Sequence, residues 1–219
     1  MKKPIVIAID GTSASGKSTN AKLVAKKLGF VYVDTGAMYR TLAWYCLKNK
    51  IDPNDTRSVI NACKKWKTSL VCIDNQVRFL VDGYYPEKEI RSAETSAIVP
   101  KIASIPKVRE WMRKVQRSCT KFGNLVMEGR DIGSTVFPET EFKFFLDAVL
   151  EERTRRRQAD GITEDLALRD KQDSQRAVAP LIVPLGAMVI NTSGQTPEQT
   201  SSIILNKIKS HLKNNIPST

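Results

Sequence analysis

Apolar positions follow two rhythms along the chain, and each change of rhythm marks an element. Residues 5–9 are continuously apolar and rich in β-branched side chains, and the run stops at Asp10-Gly11. A short unbroken run of this kind reads as a strand buried on both faces. Beyond a polar, glycine-bearing loop, Ala21, Leu23, Val24, Ala25 and Leu28 recur at helical spacing until Gly29, which suits the residue that closes a helix in the left-handed conformation. A second strand over 30–33 stops at Asp34-Thr35-Gly36, and helical spacing resumes from Met38 to Leu47. Strand, glycine loop, helix and strand in this order open a doubly wound α/β domain on a parallel sheet.

The middle of the chain is less regular. A helical stretch over 57–66 follows Pro53, and two alternating runs, 69–73 and 77–81, are joined by Asp74-Asn75-Gln76. Alternation around a short polar turn predicts an antiparallel hairpin, expected to stand outside the main sheet. Helices are predicted over 92–103 and 108–119, and short strands over 125–127, 142–146 and 187–191. The stretch 150–176 is highly charged and has no aromatic residue, so it is expected to be weakly packed and mobile. A closing helix over 196–212 begins at Thr196-Pro197-Glu198, a cap followed by proline at the first helical position, and the tail 213–219 is expected to fray.

Composition narrows the class. The 219 residues are 41% hydrophobic and 26% charged, a globular balance. No apolar stretch approaches the roughly 20 residues that span a bilayer. The apolar run behind Lys2 and Lys3 is about half a signal-peptide core, so the expected location is the cytoplasm. Cys46, Cys63, Cys72 and Cys119 form no paired spacing, and His211 is the single histidine, which argues against a zinc site or a disulfide framework. Net charge is +12. That charge suits either nucleic acid or small polyanions, and placement favours the second. Arg40, Arg109, Arg130, Arg153, Arg155, Arg156, Arg157, Arg169 and Arg176 fall inside motif-like segments while the lysines are scattered. Trp44, Trp66 and Trp111 lie on helical stretches and read as core rather than as base-stacking platforms.

The loop Gly11-Thr12-Ser13-Ala14-Ser15-Gly16-Lys17-Ser18-Thr19 fits G-x-x-x-x-G-K-[ST], with a strand before it and a helix after it. Glycines let successive N–H groups turn inward on a phosphate, and the helix that follows adds the positive end of its dipole. Lys17 supplies a point charge to the terminal phosphates, and the Ser18 hydroxyl is a ligand for Mg²⁺. The motif implies a nucleoside triphosphate without saying what is done with it. A GTPase would carry a base-specifying Asn-Lys-x-Asp element after a strand, and no such tetrapeptide is expected here. A large ATPase would carry an aliphatic run ending in paired acids; Phe144-Phe145-Leu146-Asp147 is the nearest run, with alanine after its aspartate. Small-molecule kinases remain.

From Asp34-Thr35-Gly36-Ala37-Met38-Tyr39-Arg40 onward the chain resembles the bacterial cytidylate kinases, members of the nucleoside monophosphate kinase family. The likeness recurs in order at Pro106-Lys107-Val108-Arg109, at Gly129-Arg130-Asp131-Ile132-Gly133, at Phe144 to Ala148 with Glu152-Arg153, and at Arg169-Asp170, Asp173, Arg176 and Pro180-Leu181. The resemblance implies a P-loop core of 1–37 and 120–219 with a short arginine-rich lid at about 153–176. It makes 38–119 an acceptor-binding insertion holding the hairpin. It implies ATP as phosphoryl donor, Mg²⁺, and CMP or dCMP as acceptor. Small-molecule nucleotides are the expected partners, with no nucleic acid or membrane, and a monomer is the default expectation.

Carried over by position, the resemblance puts Arg40, Arg130 and Arg176 on the acceptor phosphate, where guanidinium forks match phosphate oxygens. Arg109 and Asp131 would read the cytosine edge, Arg169 and Asp173 the sugar, and Thr35 would support the acceptor near Tyr39. Lys17, Arg130, Arg153, Arg157 and Arg176 would neutralise charge on the transferred group. Two departures stand out. Pro100 occupies the place of a serine that touches the base in the family, nine residues before Arg109, with Ser96 one turn earlier as a substitute, and the segment between Arg157 and Arg169 is short. Asp10 either caps the loop or holds a water on Mg²⁺. Acceptors such as UMP, AMP, shikimate or dephospho-coenzyme A stay open at this point, as do a nucleic-acid-dependent ATPase and a non-catalytic binding module.

Overall fold

A computed structural model describes residues 3–159, 161 and 165–214. The elements in chain order are β1 (Val6–Gly11), α1 (Lys17–Leu28), β2 (Val31–Asp34), α2 (Thr35–Lys48), α3 (Thr56–Lys65), β3 (Thr68–Ile73), β4 (Gln76–Val81), α4 (Ala93–Ser104), α5 (Pro106–Ser118), β5 (Leu125–Gly129), β6 (Phe142–Asp147), α6 (Leu150–Ala159), α7 (Leu166–Ser174), β7 (Met188–Asn191) and α8 (Pro197–Asn214). One seven-stranded sheet runs β3-β4-β2-β5-β1-β6-β7, parallel except between β3 and β4.

Alternation along each strand divides the core in two. Val6, Ala8, Val31, Val33, Leu125 and Met127 face the side covered by α2, α4 and α5, with Met38, Leu42, Ile102 and Met112 packed on them. Ile7, Ile9, Val126, Phe144 and Leu146 face α1 and α8, against Ala21, Val24, Ile204 and Ile208. Parallel strands buried on both faces explain why the strand sequences read as unbroken apolar runs. Trp66 is buried, and Trp44 and Trp111 pack against the same cluster, as their helical spacing predicts.

Several expectations change. The hairpin does not stand apart: β4 lies beside β2, where Tyr32 pairs with Gln76 and the Tyr32 N–H donates to Asn75 O at 2.8 Å. The cause is its own alternation, since Val77, Phe79 and Val81 form an apolar face that is buried by extending the sheet. Helix α2 begins at Thr35 rather than Met38, because the Asp34 carboxylate accepts the Ala37 N–H at 2.7 Å and caps it. The stretch 150–176 contains two helices, α6 and α7, which bury the charged Arg153 and Asp173 together with Leu166. Residues 160 and 162–164 of the expected lid, and 215–219 of the expected tail, lie outside the described residues.

Against expectation, the chain does contain an Asn-Lys-x-Asp tetrapeptide, Asn49-Lys50-Ile51-Asp52. It follows a helix, with Asn49 capping the end of α2, so it does not have the strand-end setting of a guanine-reading element.

Candidate active site

The phosphate loop leaves β1 beside β6 at very close range. A Cβ on Gly11, whose φ is +151°, would lie 2.0 Å from the Leu146 carbonyl oxygen, so only glycine passes. Ala14 and Gly16 also take positive φ, 56° and 85°, and α1 starts at Lys17 without a side-chain cap. A helix N-terminus left without a side-chain cap offers its first-turn N–H groups to an anion. Lys17 Nζ donates to Thr12 O and, at 3.4 Å, to Ser15 Oγ. Burial, and then the charge of Arg130, push the Lys17 ammonium down to about 7.

Ser13, Ala14, Lys17 and Ser18 line a cavity, whereas Gly11, Thr12, Ser15, Gly16 and Thr19 are not among its lining residues. Thr12 Oγ1 donates to Asp147 at 2.7 Å, and Ser15 O accepts from Thr192 Oγ1 at 3.1 Å. Asp147, the acid that ends the aliphatic run, is thus a loop anchor. The two oxygens of Asp10 accept the Ile132 and Gly133 N–H groups at 2.8 and 2.7 Å, tying β1 to the turn after β5.

The far wall of the same cavity is formed by Thr35, Tyr39, Arg40, Arg109, Arg130, Asp131, Arg157, Arg169, Asp173 and Arg176. Arg40 is held by Asp34 at 2.9 Å. Asp173, 1% exposed, receives Arg130 Nε at 2.8 Å, Arg169 Nε at 3.7 Å and the Arg176 guanidinium. Burial pushes the Asp173 carboxyl up, but Arg130, Arg176 and Arg169 outweigh it and hold it below the usual carboxylate range. Arg109 pairs with Asp131 at 2.6 Å, donates to Ala103 O at 3.1 Å and lies 5.5 Å over the Tyr39 ring. Gly129 permits the approach of this wall, since a Cβ there would come within 2.6 Å of Thr35 Oγ1 and 2.8 Å of Ile132.

The arginine run on α6 divides by helical geometry. Arg157 reaches the cavity. Arg155 is exposed on Glu152, and Arg156 binds Thr192 behind the loop. Arg153, expected at the transferred phosphoryl group, does not line the cavity: its donors go to Ala148 O, Ser13 O and Asp170. Ser96 and Pro100 line a neighbouring cavity between α4 and α7, while Val99 and Ala103 face the main one.

Two acids in the cavity escaped the sequence reading. Asp34 and Glu128 are neighbours across β2 and β5, and Glu128 accepts from Tyr32 Oη at 2.8 Å beside Ser18. Burial, and then the Asp34 charge, push the Glu128 carboxyl above its ordinary value. The available signal was its position as the last residue before Gly129-Arg130-Asp131.

A family model described as cytidylate kinase matches residues 7–210. The chain belongs to the cytidylate kinase family. It is 39% identical over 223 residues to a cytidylate kinase of Caldanaerobacter subterraneus subsp. tengcongensis, covering 97% of this chain and 98% of that one. It is 40% identical over 215 residues to a cytidylate kinase of Clostridioides difficile, covering 93% and 98%. A bifunctional pantoate ligase/cytidylate kinase of Prochlorococcus marinus is 43% identical over 209 residues, covering 89% of this chain, which spans only 41% of that longer protein. Both walls of the cavity, from Ser13 to Arg176, lie within the span matched by the cytidylate kinase model.

Proposed function

We propose that this chain transfers the γ-phosphoryl group of ATP to CMP, and to dCMP, giving ADP and CDP or dCDP. One cavity bounded by the phosphate loop on one side and the guanidinium cluster around Asp173 on the other supports this reading, because it lets two anionic nucleotides meet head to head. An oxygen of the acceptor phosphate attacks the γ-phosphorus in line while the bond to the β,γ-bridging oxygen breaks, and that oxygen leaves on ADP. The acceptor is already anionic, so positioning and charge neutralisation matter more than a base. Lys17, Arg130, Arg157 and Arg176 line the space where that charge develops. Arg40, Arg130 and Arg176 grip the acceptor phosphate, Arg169 and Asp173 take the sugar, Arg109 and Asp131 read the base, and Thr35 supports the acceptor near Tyr39. The acceptor is received by the insertion 38–119, and α6 and α7 form the lid over the core.

The donor set also suits Mg²⁺. The Ser18 hydroxyl and the Glu128 carboxylate beside it offer hard oxygen ligands, and such a cation would take its other ligands from phosphates and water. When bound, Mg²⁺ polarises the phosphates and offsets their charge. Among the described residues no group of three or more His, Cys, Asp or Glu is placed to hold a metal by itself, and no helix is long and apolar enough to cross a membrane. We take the chain to act in the cytoplasm, as a monomer, without a nucleic-acid partner. ADP release measured over CMP, dCMP, UMP and AMP tests the proposal. CMP and dCMP should lead the panel, and equal turnover of AMP would sink it.

A further inference from the structure

Helix α7 carries two carboxylates one turn apart that serve opposite sides of the cavity. Asp173 holds the arginines of the acceptor wall. Asp170 turns to the phosphate loop. Its Oδ1 accepts the Ser13 N–H at 3.1 Å, its Oδ2 takes the Arg153 guanidinium, and the same Arg153 Nη1 donates to Ser13 O at 3.2 Å. Arg153 is itself fixed, since its Nε donates to Ala148 O at 2.9 Å just beyond β6. Both main-chain groups of Ser13 are therefore held from α6 and α7, immediately before Ala14 with its left-handed φ. Residues three apart on a helix share a face, and a helix is stiff over one turn, so a shift of the loop is passed to Asp173 and its arginines.

We propose that Asp170 is a positioning residue that couples the donor and acceptor subsites, acting through Ser13 and Arg153, a role that presupposes the kinase activity proposed above. A donor seated on the loop fixes Ser13, Ser13 fixes α7 through Asp170, and α7 then presents the arginine cluster in its acceptor-binding arrangement. Such coupling is reciprocal: the factor by which the donor tightens acceptor binding equals the factor by which the acceptor tightens the donor. Asp170 also carries a charge that reaches Lys17 and Arg130. A simple counter-charge would make a different prediction, because its removal strengthens the binding of each anion separately and leaves the coupling factor unchanged.

The test compares the CMP dissociation constant, by calorimetry, with and without a saturating non-hydrolysable ATP analogue and Mg²⁺. It uses the full chain, Asp170→Ala and Asp170→Asn. The unaltered chain should show CMP tightening by roughly fivefold or more when the analogue is present. Asp170→Ala should bring that factor close to one. Asp170→Asn, which keeps an oxygen for the Ser13 N–H but loses the ion pair with Arg153, should fall between. The reverse titration, analogue with and without CMP, should return the same factors. A coupling factor in folded Asp170→Ala equal to that of the unaltered chain overturns the proposal, as does tighter binding of both ligands with an unchanged factor. If Asp170→Ala melts below the assay temperature, Asp170→Asn decides, and an undiminished factor there overturns the proposal. An unaltered chain that binds both ligands without coupling removes the role of Asp170 alone, whereas one that binds neither removes the kinase reading.

Discussion

Arg109 Nη2 and Asp131 Oδ2 lie 2.6 Å apart, with 5% and 9% of their side chains exposed, where α5 meets the turn after β5. A pair this deeply buried adds little net stability, because desolvation offsets most of the attraction. Its value lies in geometry. Arg109 is fixed by Ala103 O and the Tyr39 ring, so the two groups present a set pattern of donors and acceptors to the cavity.

If that pattern reads cytosine, the 4-amino group donates to Asp131, and uracil offers a carbonyl there instead. Asp131→Asn should lower the ratio of kcat/KM for CMP over UMP by at least about tenfold, because its amide can donate to uracil. Asp131→Ala should also lose about 3–5 kcal/mol of stability by leaving Arg109 buried without its counter-ion. An acceptor panel and thermal melts measure the two effects, and an unchanged CMP to UMP ratio would remove Asp131 from base recognition.

Arg130 and Arg176 both bind Asp173 on the acceptor wall. Arg130→Ala or Arg176→Ala should cut kcat by about a hundredfold or more while the ATP dissociation constant stays within about twofold. Steady-state rates with calorimetric ATP binding check this. Normal turnover in either chain would count against the placement of the acceptor phosphate.

Glu128 stands beside Ser18 and is oriented by the Tyr32 hydroxyl. Glu128→Gln should raise the Mg²⁺ concentration for half-maximal rate by roughly tenfold, with little change in KM for CMP. The measurement is initial rate against Mg²⁺ at fixed ATP. Superimposable curves would take Glu128 out of the metal site.

Asp10 gives a pH signature. Burial pushes its carboxyl from 3.8 to about 7 against the opposing pull of the Gly133 and Ile132 amides. The folded chain thus keeps this proton up to about pH 7, while the unfolded chain releases it near 3.8. Between those values the folded state binds more protons, so this contribution is complete below the unfolded pKa and is lost as pH rises through the folded one. The slope is of order 1 kcal/mol per pH unit. Asp10→Asn should melt with a flatter pH profile than the parent between about pH 5 and 7. Parallel profiles would show that Asp10 does not titrate there.

Much of this site was legible along the chain because its determinants are local. The phosphate loop needs only its glycines, Lys17 and the strand and helix that flank it. The closing helix announces itself through Thr196, whose Oγ1 accepts the Gln199 N–H at 3.2 Å while Gln199 returns a bond to the Thr196 N–H at 2.8 Å. Alternation at Val77, Phe79 and Val81 shows that β4 has an apolar face, but periodicity carries no information on which strand lies beside it.

The sequence by itself determined the α/β class, the phosphate loop and the set of arginines and acids available to an acceptor. Only the tertiary structure decided how they are shared. Four arginines in one run on α6 look alike in sequence, yet Arg157 faces the cavity, Arg155 faces solvent, and Arg153 and Arg156 brace the loop from behind. Glu128 became a cavity residue only when β2 and β5 paired and set it beside Asp34. The physical reason is that hydrogen-bond partners and desolvation belong to pairs brought together by folding, whereas periodicity and turn chemistry belong to neighbours along the chain.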